Sequence, residues 1–173
     1  EISQLKKVNV SGSLPSSVVI RVEERKPFAV VIISGSYYCI DDEGVIIDQV
    51  KDLLNKPKIS GGISELPVVK GLDESCIEGG KKLKAGVTEA IERSFKTLSK
   101  LLKKRKLELI MFDSNNITII IDDAIKVKIG DSFDVGKKLF NMEKIIEEIG
   151  WQNNKIEYID VRAVSNPAVK FKK

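Results

Sequence analysis

The feature that most constrains the fold is an uninterrupted apolar run, Phe28–Ile33, with the sequence FAVVII. Pro27 interrupts backbone pairing before the run, and the turn residues Ser34–Ser36 close it. A strand with apolar side chains on both faces is typical of a sheet that is covered on both sides. The run therefore predicts a buried strand of such a sheet.

Other short apolar segments lie between turn residues and predict further strands. Tyr37–Ile40 and Val45–Ile47 flank a loop in which Gly44 suits the left-handed conformation of a short hairpin. The remaining predicted strands are Val18–Glu24, Leu66–Val69, Leu107–Phe112, Ile117–Ile121, Ile125–Ile129, Ile156–Arg162 and Ala168–Phe171. In Val18–Glu24 the apolar side chains fall on alternate positions, which predicts a half-buried strand.

Two segments have helical periodicity. Between Gly86 and Lys106, apolar side chains recur every three or four residues and form one buried stripe. A second helix follows Asp134, which we expect to cap its N terminus, and Gly150 supplies its C-terminal stop. Together with the strands, these helices predict an α+β fold: an antiparallel-rich mixed β-sheet with two main helices.

The sequence has no histidine among its 173 residues. This excludes serine–histidine and cysteine–histidine catalysis and the HExxH zinc motif. Gly79–Lys82 lacks the upstream glycine and the following Ser or Thr of a nucleotide-binding loop. We therefore expect no catalytic residue and no cofactor. The remaining enzymatic hypothesis, a hydrolase, needs two carboxylates facing each other across a cleft, and the sequence does not establish such a pair.

The residues that commonly bind metals favour structural roles. Carboxylate oxygens suit Mg²⁺ and Ca²⁺, but Asp41–Glu43 and Asp122–Asp123 do not have the spacing of a calcium loop, so we expect turns and no metal site. Cys39 and Cys76 are too few for a disulfide framework. Burial as small hydrophobic residues is the favoured interpretation, and a single disulfide is the alternative.

The net charge of +4, from 29 basic and 25 acidic residues, describes a solvated surface and does not indicate a nucleic-acid partner. The basic residues are nevertheless concentrated between Lys81 and Lys106. A solvated helix face explains them most simply, and the alternative is contact with an anionic membrane surface or cell-wall polymer. The residues that would make this contact are Lys81, Lys82, Lys84, Lys100, Lys103, Lys104, Arg105 and Lys106.

Four sequence segments are similar to segments of one protein family. They are Leu14–Ala29 (LPSSVVIRVEERKPFA), Tyr37–Val45 (YYCIDDEGV), Leu66–Leu72 (LPVVKGL) and Tyr158–Arg162 (YIDVR). In this order and spacing they resemble the FtsQ/DivIB family of bacterial cell-division proteins. The resemblance runs from about Leu5 to Phe171 and is strongest at its two ends.

The resemblance implies a domain organisation. Residues 1–27 correspond to the C-terminal remnant of a POTRA domain, with its last strand or strands and a hinge, and residues 28–173 to the β domain. In the family, one transmembrane helix precedes the POTRA domain. Because the chain opens on Glu1 without an initiator methionine or a signal-peptide pattern, we expect the native N terminus and its membrane anchor to lie upstream.

The resemblance also implies a function. We expect a non-enzymatic divisome scaffold on the outer face of the cytoplasmic membrane, concentrated at the division septum. Its expected partners are FtsB/DivIC-like and FtsL-like division proteins, and its expected role is to support and regulate septum formation.

By the same resemblance, the partner-binding segment falls on the terminal strand. Its residues are Ala168, Val169, Lys170 and Phe171, with Ser165 in the preceding turn. An edge strand presents unpaired backbone groups to which a partner strand can add. Phe171 occupies an aromatic position of the family, and the alternative is that it covers the core. Ala163 stands where some members have an aromatic residue.

Overall fold

The computed structural model describes residues 2–13, 16–50, 66–101, 107–111, 115–150 and 155–172. Two helices, α1 (Ala85–Leu101) and α2 (Val135–Ile149), lie among strands within these ranges. The strands are β1 (Leu5–Ser13), β2 (Ser17–Glu24), β3 (Ala29–Ile33), β4 (Ser36–Ile40), β5 (Ile46–Val50), β6 (Val68–Leu72), β7 (Ile77–Glu78), β8 (Lys82–Leu83), β9 (Leu107–Met111), β10 (Ile117–Ile121), β11 (Ile125–Gly130), β12 (Ile156–Asp160) and β13 (Ala168–Phe171).

Nine strands form one sheet in the order β13-β12-β11-β10-β9-β6-β3-β4-β5. Strands joined by short turns pair antiparallel, as β3 with β4 and β10 with β11 do. The parallel pairs are β3–β6, β6–β9 and β11–β12, and the last two are joined through connections that contain a helix. The predicted α+β fold, with an antiparallel-rich mixed sheet and two helices, is confirmed.

A row of aliphatic side chains in cross-strand register forms the centre of the core. It comprises Val31, Val69, Leu109, Ile119, Val127, Ile159 and Val169, one from each of seven strands. All are buried except Val169, which is half-buried at the end of the row. Buried side chains of α1 and α2 belong to the same apolar cluster. We call these seven residues the aliphatic row.

The predicted burial of the first apolar run is also confirmed. Ala29, Val31 and Ile33 belong to the main core cluster. Val30 is buried in a second cluster with Cys39, so β3 is covered on both faces. Cys39 and Cys76 are both buried and unbridged, which excludes the disulfide alternative in this structure. Burial, assisted by nearby carboxylates, raises the pKa of the Cys39 thiol to about 11.

Some expected details are wrong. Asp134 precedes α2 in the left-handed conformation, with φ of 49°, and its carboxylate caps no backbone N–H; it pairs with Lys137 at 3.1 Å instead. The β6 strand begins two residues later than predicted, because Leu66 and Pro67 precede it. Residues 102–106 and 112, which the sequence placed in the first helix and the following strand, lie outside the described residues.

The strand Val18–Glu24 is not half-buried. It forms β2 and pairs only with β1, a strand that the sequence patterns did not predict. Val10 and Ile20 face each other across this hairpin, as do Val8 and Val22, and all four are exposed. The alternating pattern therefore identifies an apolar face, but no described residue covers it. We call β1 and β2 the N-terminal hairpin.

The predicted turn at Gly44 joins β4 to β5 and is closely packed. Gly44 has a φ of +79°, and a Cβ atom there would overlap the Thr88 side chain. We expect Gly44→Ala to lower the free energy of unfolding by about 3 kcal/mol, through left-handed strain and overpacking. Gly35→Ala is the control, because Gly35 has a φ of +80° in open space. It should cost about 1 kcal/mol. Urea denaturation measures both, and equal losses would contradict a packing role for Gly44.

Candidate functional site

The predicted terminal strand lies at an edge of the large sheet. β13 spans Ala168–Phe171 and pairs antiparallel with β12 on one side only. At the opposite edge, the start of β5 is partly covered, because Ile46 donates its N–H to the Lys81 carbonyl oxygen at 2.9 Å and Val45 bridges to Lys82. Within the described part of the chain, β13 is therefore the more accessible edge.

Backbone hydrogen bonds establish which residues of β13 face outward. Lys172 donates its N–H to the Lys155 carbonyl oxygen at 2.6 Å, so even-numbered residues of this segment point toward β12. Val161 donates to the Lys128 carbonyl oxygen at 3.0 Å, so the preceding Asp160 faces its register partner Ala168 on β13; a β-bulge between Ile156 and Tyr158 reconciles this with the Lys155 carbonyl, which also faces β13. Because backbone groups alternate along a strand, Val169 and Phe171 direct theirs to the open side.

The side chains of β13 differ in burial. Val169 packs against the main core, whereas Ala168 and Lys170 are exposed. Phe171 is 48% exposed. It is thus a large apolar side chain beside outward-facing backbone groups, and this exposure does not support the alternative that Phe171 covers the core. Lys170 pairs with Glu157 at 3.1 Å, and this contact raises the pKa of Lys170.

The turn before β13 is tied to the second helix. Asn141 of α2 donates its side-chain N–H to the Val164 carbonyl oxygen at 2.7 Å, and Asn166 donates its backbone N–H to the Ala163 carbonyl oxygen at 3.2 Å. Ser165 lies in this turn as predicted and is exposed. The contacts hold the start of β13 in place, and the role of Ser165 in binding stays a prediction.

A cationic cleft lies near this edge, on the sheet face opposite the aliphatic row. It has a volume of about 180 Å³ and is lined by Asn116, Ile117, Thr118, Lys126, Lys128, Gly130 and Arg162. The Lys128 ammonium lies 3.5 Å from the centre of the Tyr158 ring. None of the lining residues is acidic, although Asp160 balances the charge of Arg162, so the positive charge of the cleft comes from Lys126 and Lys128 and favours a ligand group with negative charge.

Arg162 borders the cleft and is held in place by Asp160. Its Nε and Nη2 donate to the two carboxylate oxygens of Asp160 at 3.0 and 2.6 Å. These hydrogen bonds lower the pKa of Asp160 and raise that of Arg162, so both groups stay charged near neutral pH. The sequence contained a signal for the cleft, because Lys126 and Lys128 alternate with buried residues of β11, but alternation alone does not join them to Arg162.

The cationic segment between Lys81 and Lys106, which could contact an anionic surface, is only partly described. Lys81 and Lys82 lie at the β7–β8 turn, and Lys84 precedes α1; all three are exposed. The side chain of Lys100 and the whole of residues 103–106 lie outside the described residues. On α1, Arg93 pairs with Glu89 at 3.1 Å and Lys96 pairs with Glu92, which reduces the positive charge of the helix face. Contact with an anionic surface stays a prediction.

The acidic segments considered as metal ligands have structural roles, since Asp41–Glu43 lies at the β4–β5 turn and both Asp41 and Glu43 pair with Arg25. Among the described residues, no cluster of three or more His, Cys, Asp or Glu side chains is arranged to hold a metal ion. Asp122 and Asp123 have φ values of 51° and 57° in the turn between β10 and β11. In the same part of the chain, none of the helices has the length and apolar character needed to cross a membrane.

The fold defines an α+β domain whose terminal strand lies at an open edge of a mixed sheet, and comparisons with known proteins identify its family. Residues 29–162 match the family described as Cell division protein FtsQ/DivIB, C-terminal. The chain belongs to this family.

Curated relatives agree with the family assignment. The chain is 26% identical over 170 residues to Cell division protein FtsQ of Syntrophotalea carbinolica, covering 94% of the chain and 55% of the relative. It is 27% identical over 162 residues to Cell division protein FtsQ of Geotalea daltonii, covering 90% and 54%. With Cell division protein DivIB of Clostridium botulinum it shares 24% identity over 176 residues, covering 98% and 64%. The chain thus spans between half and two thirds of the length of these relatives.

The exposure of Phe171 makes a prediction about stability. Phe171→Ala should change the free energy of unfolding by about 0.5 kcal/mol or less, because nearly half of the side chain is in solvent. Val169→Ala, on the same strand, should cost about 1 kcal/mol because Val169 packs against the core. Thermal or urea unfolding compares the two variants. A larger loss for Phe171→Ala than for Val169→Ala would mean that Phe171 is a core residue.

Proposed function

We propose that this chain is part of the extracytoplasmic region of a division scaffold that binds FtsB/DivIC-like and FtsL-like partners. The observation that carries the proposal is the open edge of β13, where Val169 and Phe171 direct backbone groups outward. Membership of a cell-division family supports the setting. The scaffold is non-enzymatic and supports and regulates septum formation through the proteins that it recruits.

We further propose that residues 1–27 are the end of a POTRA domain with its hinge, and that residues 28–173 form the β domain. The N-terminal hairpin supports this division, since it forms its own two-stranded sheet and exposes an apolar face. In the full protein, a single membrane-spanning helix upstream anchors the molecule at the cell membrane, and the protein concentrates at the division septum.

The proposed binding mode is the addition of a partner strand to β13. The partner's backbone pairs with the outward N–H and C=O groups of Val169 and Phe171, and alternate side chains of the partner supply specificity. The exposed ring of Phe171 contributes an apolar contact next to these hydrogen bonds. Backbone pairing supplies affinity without requiring any particular partner side chain.

The charge near the edge favours an acidic partner segment. β11, which carries Lys126 and Lys128, is two strands from β13 and therefore three strands from an added strand, a distance of about 14 Å. An acidic residue of the partner reaches the cationic cleft where the partner extends beyond the added strand, across β13 and β12. Such contacts accelerate association and fix the register of the added strand, while the backbone pairing holds the complex.

Replacing Phe171 tests the binding mode. We expect Phe171→Ala to weaken binding of the FtsB/DivIC-like ectodomain from the same organism about tenfold, equivalent to about 1.4 kcal/mol. Deletion of residues 168–173 should abolish detectable binding. Isothermal titration calorimetry with the purified proteins measures both.

Phe133→Ala is the matched control. Phe133 is 78% exposed, but it lies in the loop before α2 and not on β13. This variant should bind within about twofold of the unchanged chain, because it lies off the added strand. If the chain without residues 168–173 stays folded by circular dichroism and still binds normally, strand addition at β13 is wrong.

A further inference from the structure

The N-terminal hairpin is joined to the large sheet through polar contacts. It shares no strand pairing with that sheet in the described part of the chain. Ser3 donates its hydroxyl to the Ile47 carbonyl oxygen at 3.2 Å, and Lys6 pairs with Glu43 at 3.1 Å. Arg25 pairs with Glu43 at 2.9 Å and also with Asp41. These directional contacts help to fix the position of the hairpin.

The acidic turn that receives these cations is itself rigid. Asp41 is only 1% exposed, and one of its carboxylate oxygens accepts the backbone N–H groups of Glu43 at 3.0 Å and Val45 at 2.8 Å. Gly44 closes the turn directly against Thr88 of α1. The turn is therefore part of the packed domain, and it presents its remaining carboxylate oxygens in fixed positions.

Arg25 connects this turn to the hairpin at two points. Its backbone N–H donates to the Gln4 carbonyl oxygen at 2.7 Å, which closes the base of the hairpin. Its guanidinium, in a side chain that is 15% exposed, reaches both Asp41 and Glu43. One residue is thus bonded through its backbone to the hairpin and through its side chain to the domain. A rotation of the hairpin has to break one set of these bonds.

Neighbouring charges strengthen the contact between the hairpin and the acidic turn. Lys6 lies on β1 and pairs with Glu43 as well as with Asp42, the latter at 3.9 Å. Hydrogen bonds from Arg25 and Lys6 lower the pKa of Glu43, so this carboxylate stays ionised near neutral pH. Arg25 and Asp41 are largely shielded from solvent, so salt screens their attraction less than it screens the exposed pairs.

We propose that Lys6, Arg25, Asp41, Asp42 and Glu43 form an ionic latch that holds the N-terminal hairpin at a fixed angle to the nine-stranded sheet. The latch acts on the segment that enters the domain, far in the sheet order from β13. It is therefore independent of strand addition at that edge. Any structure built onto the hairpin takes its orientation from the same five residues.

Residual dipolar couplings of the backbone amides test the latch in the unmodified 173-residue chain. Couplings from the hairpin and from the sheet should fit one alignment tensor. In the Arg25→Gln variant the hairpin should move relative to the sheet, so its couplings should become smaller and should no longer fit the alignment tensor of the sheet. The couplings of the sheet itself should stay unchanged. Arg21→Gln is the control, because Arg21 is an exposed arginine on β2 that faces Asn9 across the hairpin. It should behave like the unchanged chain.

The proposal is wrong if Arg25→Gln folds and its hairpin and sheet still fit a single alignment tensor with the same hairpin orientation. If Arg25→Gln does not fold, Glu43→Gln replaces it, because this change removes the exposed carboxylate and leaves the buried Asp41 paired. Glu43→Gln should also reduce the hairpin couplings, and an unchanged hairpin would equally refute the proposal. No partner protein enters the experiment, so its result does not depend on the proposed function.

Discussion

The aliphatic row is the constraint on which the rest of the structure depends. Seven strands must keep one register for Val31, Val69, Leu109, Ile119, Val127, Ile159 and Val169 to share a face under α1 and α2. A slip of one residue in any strand would turn its apolar side chains to the opposite face. The row ends at Val169, because no strand formed by the described residues follows β13 in the sheet. The same register that builds the core therefore leaves one edge open.

This edge has features that limit unwanted association. β13 is only four residues long and carries Lys170 on the face opposite the aliphatic row. Short strands and lysine side chains are common protections of exposed edges. Phe171 adds an apolar side chain at the end of the strand, where a partner gains from covering it. These features limit unspecific pairing at the edge and are compatible with the proposed addition of a partner strand.

The sequence predicted much of the fold because its apolar patterns are unambiguous. The run Phe28–Ile33 and the turn at Gly44 correspond to β3 and to the β4–β5 hairpin, and the terminal strand has the predicted bounds. Local patterns do not show what lies above a face, so the burial of β2 was mispredicted. Nor do they show backbone conformation, so the left-handed Asp134 was mistaken for a capping residue.

The candidate site was less predictable, because its parts come from distant segments. The terminal strand was identified by resemblance, whereas the cationic cleft joins β10 and β11 to Arg162, and the ionic latch joins β1 to the β4–β5 turn. In each case the residues are separated in sequence: strand register brings the cleft residues together, and side-chain contacts between two separate sheets form the latch. The charges of Lys126, Lys128 and Arg25 were visible in the sequence, but their neighbours were not.

Amide hydrogen exchange in the complex tests the central claim most directly. Nuclear magnetic resonance resolves exchange at individual amides of the chain, alone and bound to an FtsB/DivIC-like ectodomain. Strand addition predicts that exchange slows at the outward-facing amides of Val169 and Phe171, and much less at Lys170, which already faces β12. Unchanged exchange at Val169 and Phe171 in a saturated complex, with protection elsewhere on the surface, would contradict the account.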